Sequence, residues 1–442
     1  MYGERITKIM KDNGLKIGDM VSIKDGDSCI EGEIMPSTEY NSEDVLVLKL
    51  KNGYNIGIYL HGSEIKKISG KNNASANKFA AVNVQGNLPK VSLIYTGGTI
   101  GSRIDYKAGG VYMLTKAEEL LYEVPEMASI ANLSIDSLLS IASEDMNFIE
   151  WQQIAREAAK KINEGYRGVV ITHGTDTMHY TAAALSFMLR NLSAPVVLTG
   201  SQRSSDRGSS DAFMNLICST YAAANSDIAE VGICMHASSS DDKCMYIRGT
   251  KARKMHTSAR SAFRPINDKA IAYVHSNGRI EYTGSYKKRE EGKKVELAEK
   301  FESKVALVKF YPNSDPGIID FYAGKGYKGI IIEGTGLGHV AVSTIHKEYD
   351  WKDSIKRAVD KGIVVGMASQ CIYGRVNTNV YRNLRILSGL GVVYCKDMTA
   401  ETALVKLGWL LGNYNENEAK SLLDKNIAGE IKDREEYGEF LL

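Results

Sequence analysis

Three polar stretches hold the residue types that acyl-transfer chemistry requires. "TGGTIGS" (96–102) follows the apolar run "VSLIY" and carries two threonines among three glycines. A dinucleotide cradle needs G-x-G-x-x-G, but the glycines here are Gly97, Gly98 and Gly101, with Thr99 where the second belongs. A Walker loop would end in Gly-Lys-Ser/Thr, and this one continues "GSRID". The spacing therefore excludes both phosphate readings. What remains is a plain turn, or a site where backbone N–H groups and a threonine hydroxyl approach a carbonyl. In "THGTDT" (172–177), Thr175 and Asp176 stand between an apolar run and a helical pattern. Asp176 there either caps the helix or orients a proton relay. "GTKARKMHTSARSAF" (249–263) adds Lys251 and Lys254. Most lysines are solvated, but one desolvated beside a threonine hydroxyl can act as a base, because burial disfavours the ammonium form. Two threonines, an aspartate and a lysine, with glycine-turn N–H donors for an oxyanion, would repeat the logic of a Ser-His-Asp relay in other residue types. Spacing alone does not bring Lys254 to Thr175.

Other chemistries find less support. His173 and His179 are six positions apart and cannot form an i,i+4 zinc pair, while His256 and His275 belong to different segments, so no metal site is expected. The six cysteines are scattered without a C-x-x-C pair, as expected for reduced, mostly buried thiols. The 442 residues, 43% hydrophobic and 24% charged, fit a globular protein of two or three domains. Lys+Arg 55 against Asp+Glu 53 gives a net charge of +2, so no global basic field points to nucleic acid. "KKR" and "KARK" are too short to claim RNA binding by themselves. The start, "MYGERITKIMKDNG", lacks the apolar core of a signal peptide, and no run reaches membrane-span length. A cytoplasmic protein is expected.

The elements that must position these residues change texture along the chain. Residues 1–70 hold five short β-branched runs and the hairpin signal Asn52-Gly53, which predicts a small half-open all-β barrel. A polar linker is expected over 71–89. From Val91 strands and helices alternate: "VSLIY", a helix face from Trp151 to Ile162 with Gly165 at its C-cap, "GVVIT" (168–172), a helix from Met178, and "APVVLTG" (194–200). Such alternation predicts an α/β fold with a mainly parallel sheet, helices on both faces and ligands at the carboxyl ends of the strands. The loops after "VSLIY", "VVIT" and "VVLTG" would open on one edge. The large lobe is expected over 90–284, a solvated charged connector over 285–304 and a smaller α/β lobe over 305–412. A charged helical tail is expected over 413–442, and "RSSDRGSSD" (203–211) reads as a surface loop near the site.

"TGGTIGS", "SEDMN", "ITHGTDTM" and "KMHTSARSAF", in this order, resemble the L-asparaginase/glutaminase family over roughly residues 90 to 410. The resemblance implies a two-lobe asparaginase-like fold and amide hydrolysis. It implies Thr99 as nucleophile, Tyr112 of "GGVYMLT" as its assistant on a mobile loop hinged at Gly109-Gly110, and Thr175, Asp176 and Lys254 as the relay. Ser143 would hold the substrate α-carboxylate and Glu144 its α-amino group. Glu144 stands where the family commonly has Gln, which makes that contact more acidic. His339 of "EGTGLGH" stands where many members have Asn, as a histidine without a role or a supporting one. The barrel before TGGTI, with "SED" and "GTGLGH", is similar to the glutaminase subunits of archaeal tRNA-dependent amidotransferases. That similarity implies a homodimer within a heterotetramer. Its partner, the E subunit, would use ATP and Mg to activate Glu-tRNA(Gln) and consume ammonia from glutamine, with no cofactor in this chain. Two alternatives stand beside it: a free-standing asparaginase/glutaminase with an accessory barrel, and a silent RNA- or protein-binding subunit on the same fold.

Overall fold

The computed structural model describes residues 2–25, 28–35, 44–50, 55–60, 64–68, 88–105, 110–113, 124, 126–204, 210–290, 292–437 and 439–440. The Asn52-Gly53 turn and all but the last two residues of the expected linker lie outside this set. The N-terminal unit is strand-rich, with five antiparallel strands in the order Asn55–Tyr59, Val45–Lys49, Ser28–Ile34, Met20–Asp25, Glu64–Lys67. Alternate residues such as Val21 and Ile23, or Leu46 and Leu48, turn to one face and form its core. A helix not expected from the sequence, Glu4–Asp12, packs Ile6, Ile9 and Met10 onto that face at i, i+3 and i+4.

The large lobe is built on an eight-stranded sheet. Its order is Ile280–Tyr282, Ala272–His275, Lys243–Arg248, Val231–His236, Val196–Thr199, Gly168–Thr172, Lys90–Gly97, Asn132–Ile141. The five strands from Val231–His236 to Asn132–Ile141 run parallel and the other three are antiparallel. Burial on both faces follows the strand period of two. Ile94, Ile171 and Leu198 face one helical layer, while Leu93, Tyr95, Val170 and Val197 face the other. The helix read from Trp151 to Ile162 spans Phe148–Asn163. Asn147 and Glu150 form a capping box at its start, and Gly165 (φ 89°) follows its end.

A second sheet of four parallel strands, Val305–Lys309, Gly329–Gly334, Val364–Ser369 and Val393–Tyr394, forms the smaller lobe. The helix Ala400–Asn413 is apolar nearly all round. Its Ala403, Leu407 and Leu410 join one core with Phe187 of the large lobe and Ile331 of the small one. Trp409 stacks on Phe187 at 5.6 Å between ring centroids. The charged stretch 285–304 lies against this body: Glu296–Leu297 pairs with Leu189–Arg190, Val295 is buried, and Phe301 stacks on Phe148. In the tail only Glu416–Leu422 is helical among the described residues. Beyond it Glu430, fully buried, accepts from the amides of Ile427 and Ala428 and pairs with buried Lys406 at 2.6 Å, which fixes an irregular path.

Candidate active site

Three neighbouring parallel strands end level with one another: Thr172 is in register with Tyr95 on one side and Thr199 on the other. The loops that follow them therefore share the edge the alternation predicted. The approach is so close that side chains are excluded. Gly98 has φ 86°, and a Cβ on it would lie 2.5 Å from the nitrogen of Gly174. At Gly98 and Gly174 the TGGTI and HGTDT turns thus touch backbone to backbone. Thr96 Oγ1 donates to the carbonyl of Thr172 at 2.6 Å and fastens them. Thr99, half-buried, then opens a single 3-10 turn, Thr99–Gly101.

The structure brings together three of the residues expected for the relay. Lys254 Nζ donates to Thr175 Oγ1 at 2.8 Å and to Asp176 Oδ1 at 2.6 Å, across 79 and 78 positions of chain. Thr175 and Lys254 are nearly enclosed, whereas Asp176 is 70% exposed. An ion pair that open to solvent contributes little to stability, so its consequence is the orientation of Nζ. Asp176 does not cap the helix Met178–Met188, whose N-cap is Thr177. Thr177 Oγ1 instead donates to the carbonyl of Ser143 at 2.6 Å, which binds the SEDMN turn to the HGTDT loop. The Ser143 side chain lies over Gly174, where an added Cβ would be 2.8 Å from its Oγ. Glu144 is exposed beside it, its Oε2 3.5 Å from Ser143 Oγ.

Tyr112 lies in the strand Gly110–Met113, opposite Arg103 of Ser102–Asp105, in the hairpin that follows Thr99. Gly109 of the expected hinge and residues 205–209 of the loop 203–211 lie outside the described residues. The base of that loop is held by Asp211, wholly buried, which accepts from the amides of Gln202 and Arg203 at 3.0 and 3.2 Å. His339 sits in the small lobe, its ring edge-on to Tyr381 at 5.2 Å; no contact joins it to Thr99, Thr175 or Lys254 among the described residues. His173 is structural. Its Nδ1 donates to the Gly174 carbonyl at 2.6 Å and its Nε2 meets Thr181 Oγ1 at 2.8 Å, and complete burial pushes its pKa down from 6.5 to about 4.

Sequence reasoning gave no role to Lys251 or Arg253. Lys251 is fully buried against Asp397 at 2.6 Å, and Arg253 pairs with Glu401 at 2.9 Å. Desolvation holds the Lys251 ammonium below its ordinary pKa while Asp397 opposes the shift. "KARK" is therefore no free basic patch, since each of its three cations has an acidic partner within the chain. Three charges within the four residues 251–254 were the available signal.

The chain is similar to known proteins along its length. Residues 15–68 match the GatD N-terminal domain, 90–287 the N-terminal asparaginase domain, and 304–422 the glutaminase/asparaginase C-terminal domain. The L-asparaginase structures of Thermococcus kodakarensis and Vibrio cholerae superpose with TM-scores of 0.68 and 0.67. Each is 30% identical and covers 78% of this chain and 100% of its own. The glutamyl-tRNA(Gln) amidotransferase D subunit of Pyrococcus furiosus is 51% identical over 99% of this chain and 100% of the relative. That of Thermococcus kodakarensis is 50% identical over 99% of both. With such identity along almost its whole length, N-terminal unit included, the chain belongs to the family of glutamyl-tRNA(Gln) amidotransferase D subunits.

Proposed function

We propose that this chain hydrolyses the side-chain amide of glutamine and delivers the ammonia to a partner subunit, which converts Glu-tRNA(Gln) to Gln-tRNA(Gln) with ATP. The observation that carries the hydrolytic half is Lys254 bridging Thr175 and Asp176 on the loop that touches the Thr99 turn. In this reading Thr99 Oγ attacks the amide carbon, and its proton passes to Tyr112 or into the Thr175–Lys254–Asp176 relay. Glycine-turn N–H groups hold the developing oxyanion, each such donor contributing about 2.7–4 kcal/mol to the transition state. Ammonia departs with the proton returned to it, and water resolves the γ-glutamyl ester. Ser143 and Glu144 hold the α-carboxylate and α-amino group of the substrate.

Relatives matching 99% of the chain, and the GatD N-terminal domain at residues 15–68, support an amidotransferase subunit over a free-standing asparaginase, because the asparaginase structures cover only 78% of the chain. A homodimer at the centre of a heterotetramer with the E subunit is the assembly this reading takes. The residue roles are tested in the assembled amidotransferase. Thr99→Ala and Lys254→Ala are each expected to lower ammonia release from glutamine by about 10³-fold or more. Turnover like the unmodified enzyme in either variant contradicts the role assigned to that residue.

A further inference from the structure

In an extended strand alternate residues face opposite sides. Lys254, at the end of the strand Ala252–Lys254, faces Thr175 and Asp176 in its own lobe. The residues just before it are held from the other lobe. Arg253 forms an ion pair with Glu401 Oε1 at 2.9 Å, Lys251 Nζ donates to Asp397 Oδ2 at 2.6 Å, and Thr402 Oγ1 donates to the Thr250 carbonyl at 3.0 Å. Glu401 and Thr402 belong to the first turn of the helix Ala400–Asn413, and Asp397 lies three residues before it. The same helix stacks Trp409 on Phe187 of Met178–Met188, the helix that begins directly after the HGTDT loop. One small-lobe helix thus supports both halves of the Lys254 relay.

The Arg253–Glu401 pair also costs more than a simple tie would. Glu401 Oε2 is buried with no hydrogen-bond partner among the described residues, and so is Nδ1 of His179, in the first turn of Met178–Met188. Glu401 and Arg253 are the charges that act most strongly on His179. A buried carboxylate with half of its acceptor capacity unused is a poor device for stability alone.

We propose that Arg253 and Glu401 are positioning residues for the hydrolysis. Their pair ties the strand that carries Lys254 to the start of the small-lobe helix, so that a displacement of the small lobe changes the Lys254–Thr175 geometry. The inference rests on the reading of Lys254 as a member of the catalytic relay. Misplacing a catalytic group by about 1 Å can cost about 100-fold in rate. Lys251–Asp397, with both partners buried, is the structural anchor, and cutting it would threaten folding. Arg253 is 28% exposed and can be changed more safely.

The test uses the full chain assembled with its amidotransferase partner and Glu-tRNA(Gln), with thermal unfolding of each variant as a check on folding. Glu401→Gln and Arg253→Met are expected to lower kcat for glutamine by about 10- to 100-fold. KM is expected to stay within about twofold, because the substrate contacts remain. The reversed pair, Arg253→Glu with Glu401→Arg, is expected to restore most of the lost kcat. Lys254→Met serves as the reference. If it is inactive while Glu401→Gln and Arg253→Met keep full kcat, the positioning role is overturned. A fall in kcat matched by lost thermal stability and not rescued by the reversed pair also overturns it. If Lys254→Met itself is active, the relay reading fails, and that outcome is distinguishable from the other two.

Discussion

In the proposed reaction Thr99, Thr175, Asp176 and Lys254 would need little charge. Two hydroxyls and one exposed carboxylate follow the ends of parallel strands, and one ammonium group reaches them from the antiparallel strand Ala252–Lys254. Asp176 directs Nζ toward Thr175, and its exposure keeps the ion pair from dominating the energetics. Substrate recognition falls to Ser143 and Glu144 in the proposed reaction. Ser143 is fixed by its carbonyl bond from Thr177, while Glu144 extends into solvent. If the Glu144 carboxylate receives the α-ammonium of glutamine, the contact exists in ground and transition states alike. Glu144→Gln is then expected to raise KM about fivefold and leave kcat unchanged, because the amide oxygen still accepts but no longer carries the charge. Steady-state kinetics on glutamine check this, and an unchanged KM would remove Glu144 from the substrate site.

At the scale of elements, the site depends on the close approach of two turns. Gly98→Ala would place a methyl group 2.5 Å from the Gly174 nitrogen, in a backbone region that L-residues avoid. A loss of about 1–3 kcal/mol in urea unfolding is expected, together with a collapse of activity as the loops separate. Native-like stability and activity would show that the turns need not touch. The HGTDT loop and the helix behind it carry an acid sensitivity of their own. The unfolded chain protonates His173 as pH falls through 6.5, but the folded ring resists until about 4. Between those values the unfolded state binds more protons. Stability should therefore fall by about 1.4 kcal/mol per pH unit and level off below pH 4. His179, pushed by burial to about 4 as well, adds a slope of the same sign. His173→Gln should flatten the dependence measured by urea unfolding across that window, and an unaltered slope would contradict the assignment.

At the scale of the whole molecule, the large-lobe alternation, the shared loop edge and the two threonine loops were legible because each is a local pattern. The strands Gly168–Thr172 and Val196–Thr199 and the Gly165 stop coincide with what their periods predicted. The ties between lobes were not legible, because they join residues distant in sequence. Lys251 and Asp397 are 146 positions apart, and neither residue's surroundings reveal the other. The helix Glu4–Asp12 was hidden by its place in a strand-coded region, although Ile6, Ile9 and Met10 hold the helical spacing. The charged stretch 285–304 read as solvated because charge was counted without Val295 and Phe301, which anchor it. Among the described residues no helix is long and apolar enough to cross a membrane.

In the proposed reaction, glutamine hydrolysed when no acceptor is present would be wasted. The most direct measurement is ammonia release from glutamine by the purified chain, alone and then with the E subunit and Glu-tRNA(Gln). The account predicts near silence alone and strong activation, about 100-fold or more, when partner and tRNA are both present. Robust asparagine or glutamine hydrolysis by the isolated chain, unchanged by partner and tRNA, would contradict it and point to a free-standing amidohydrolase.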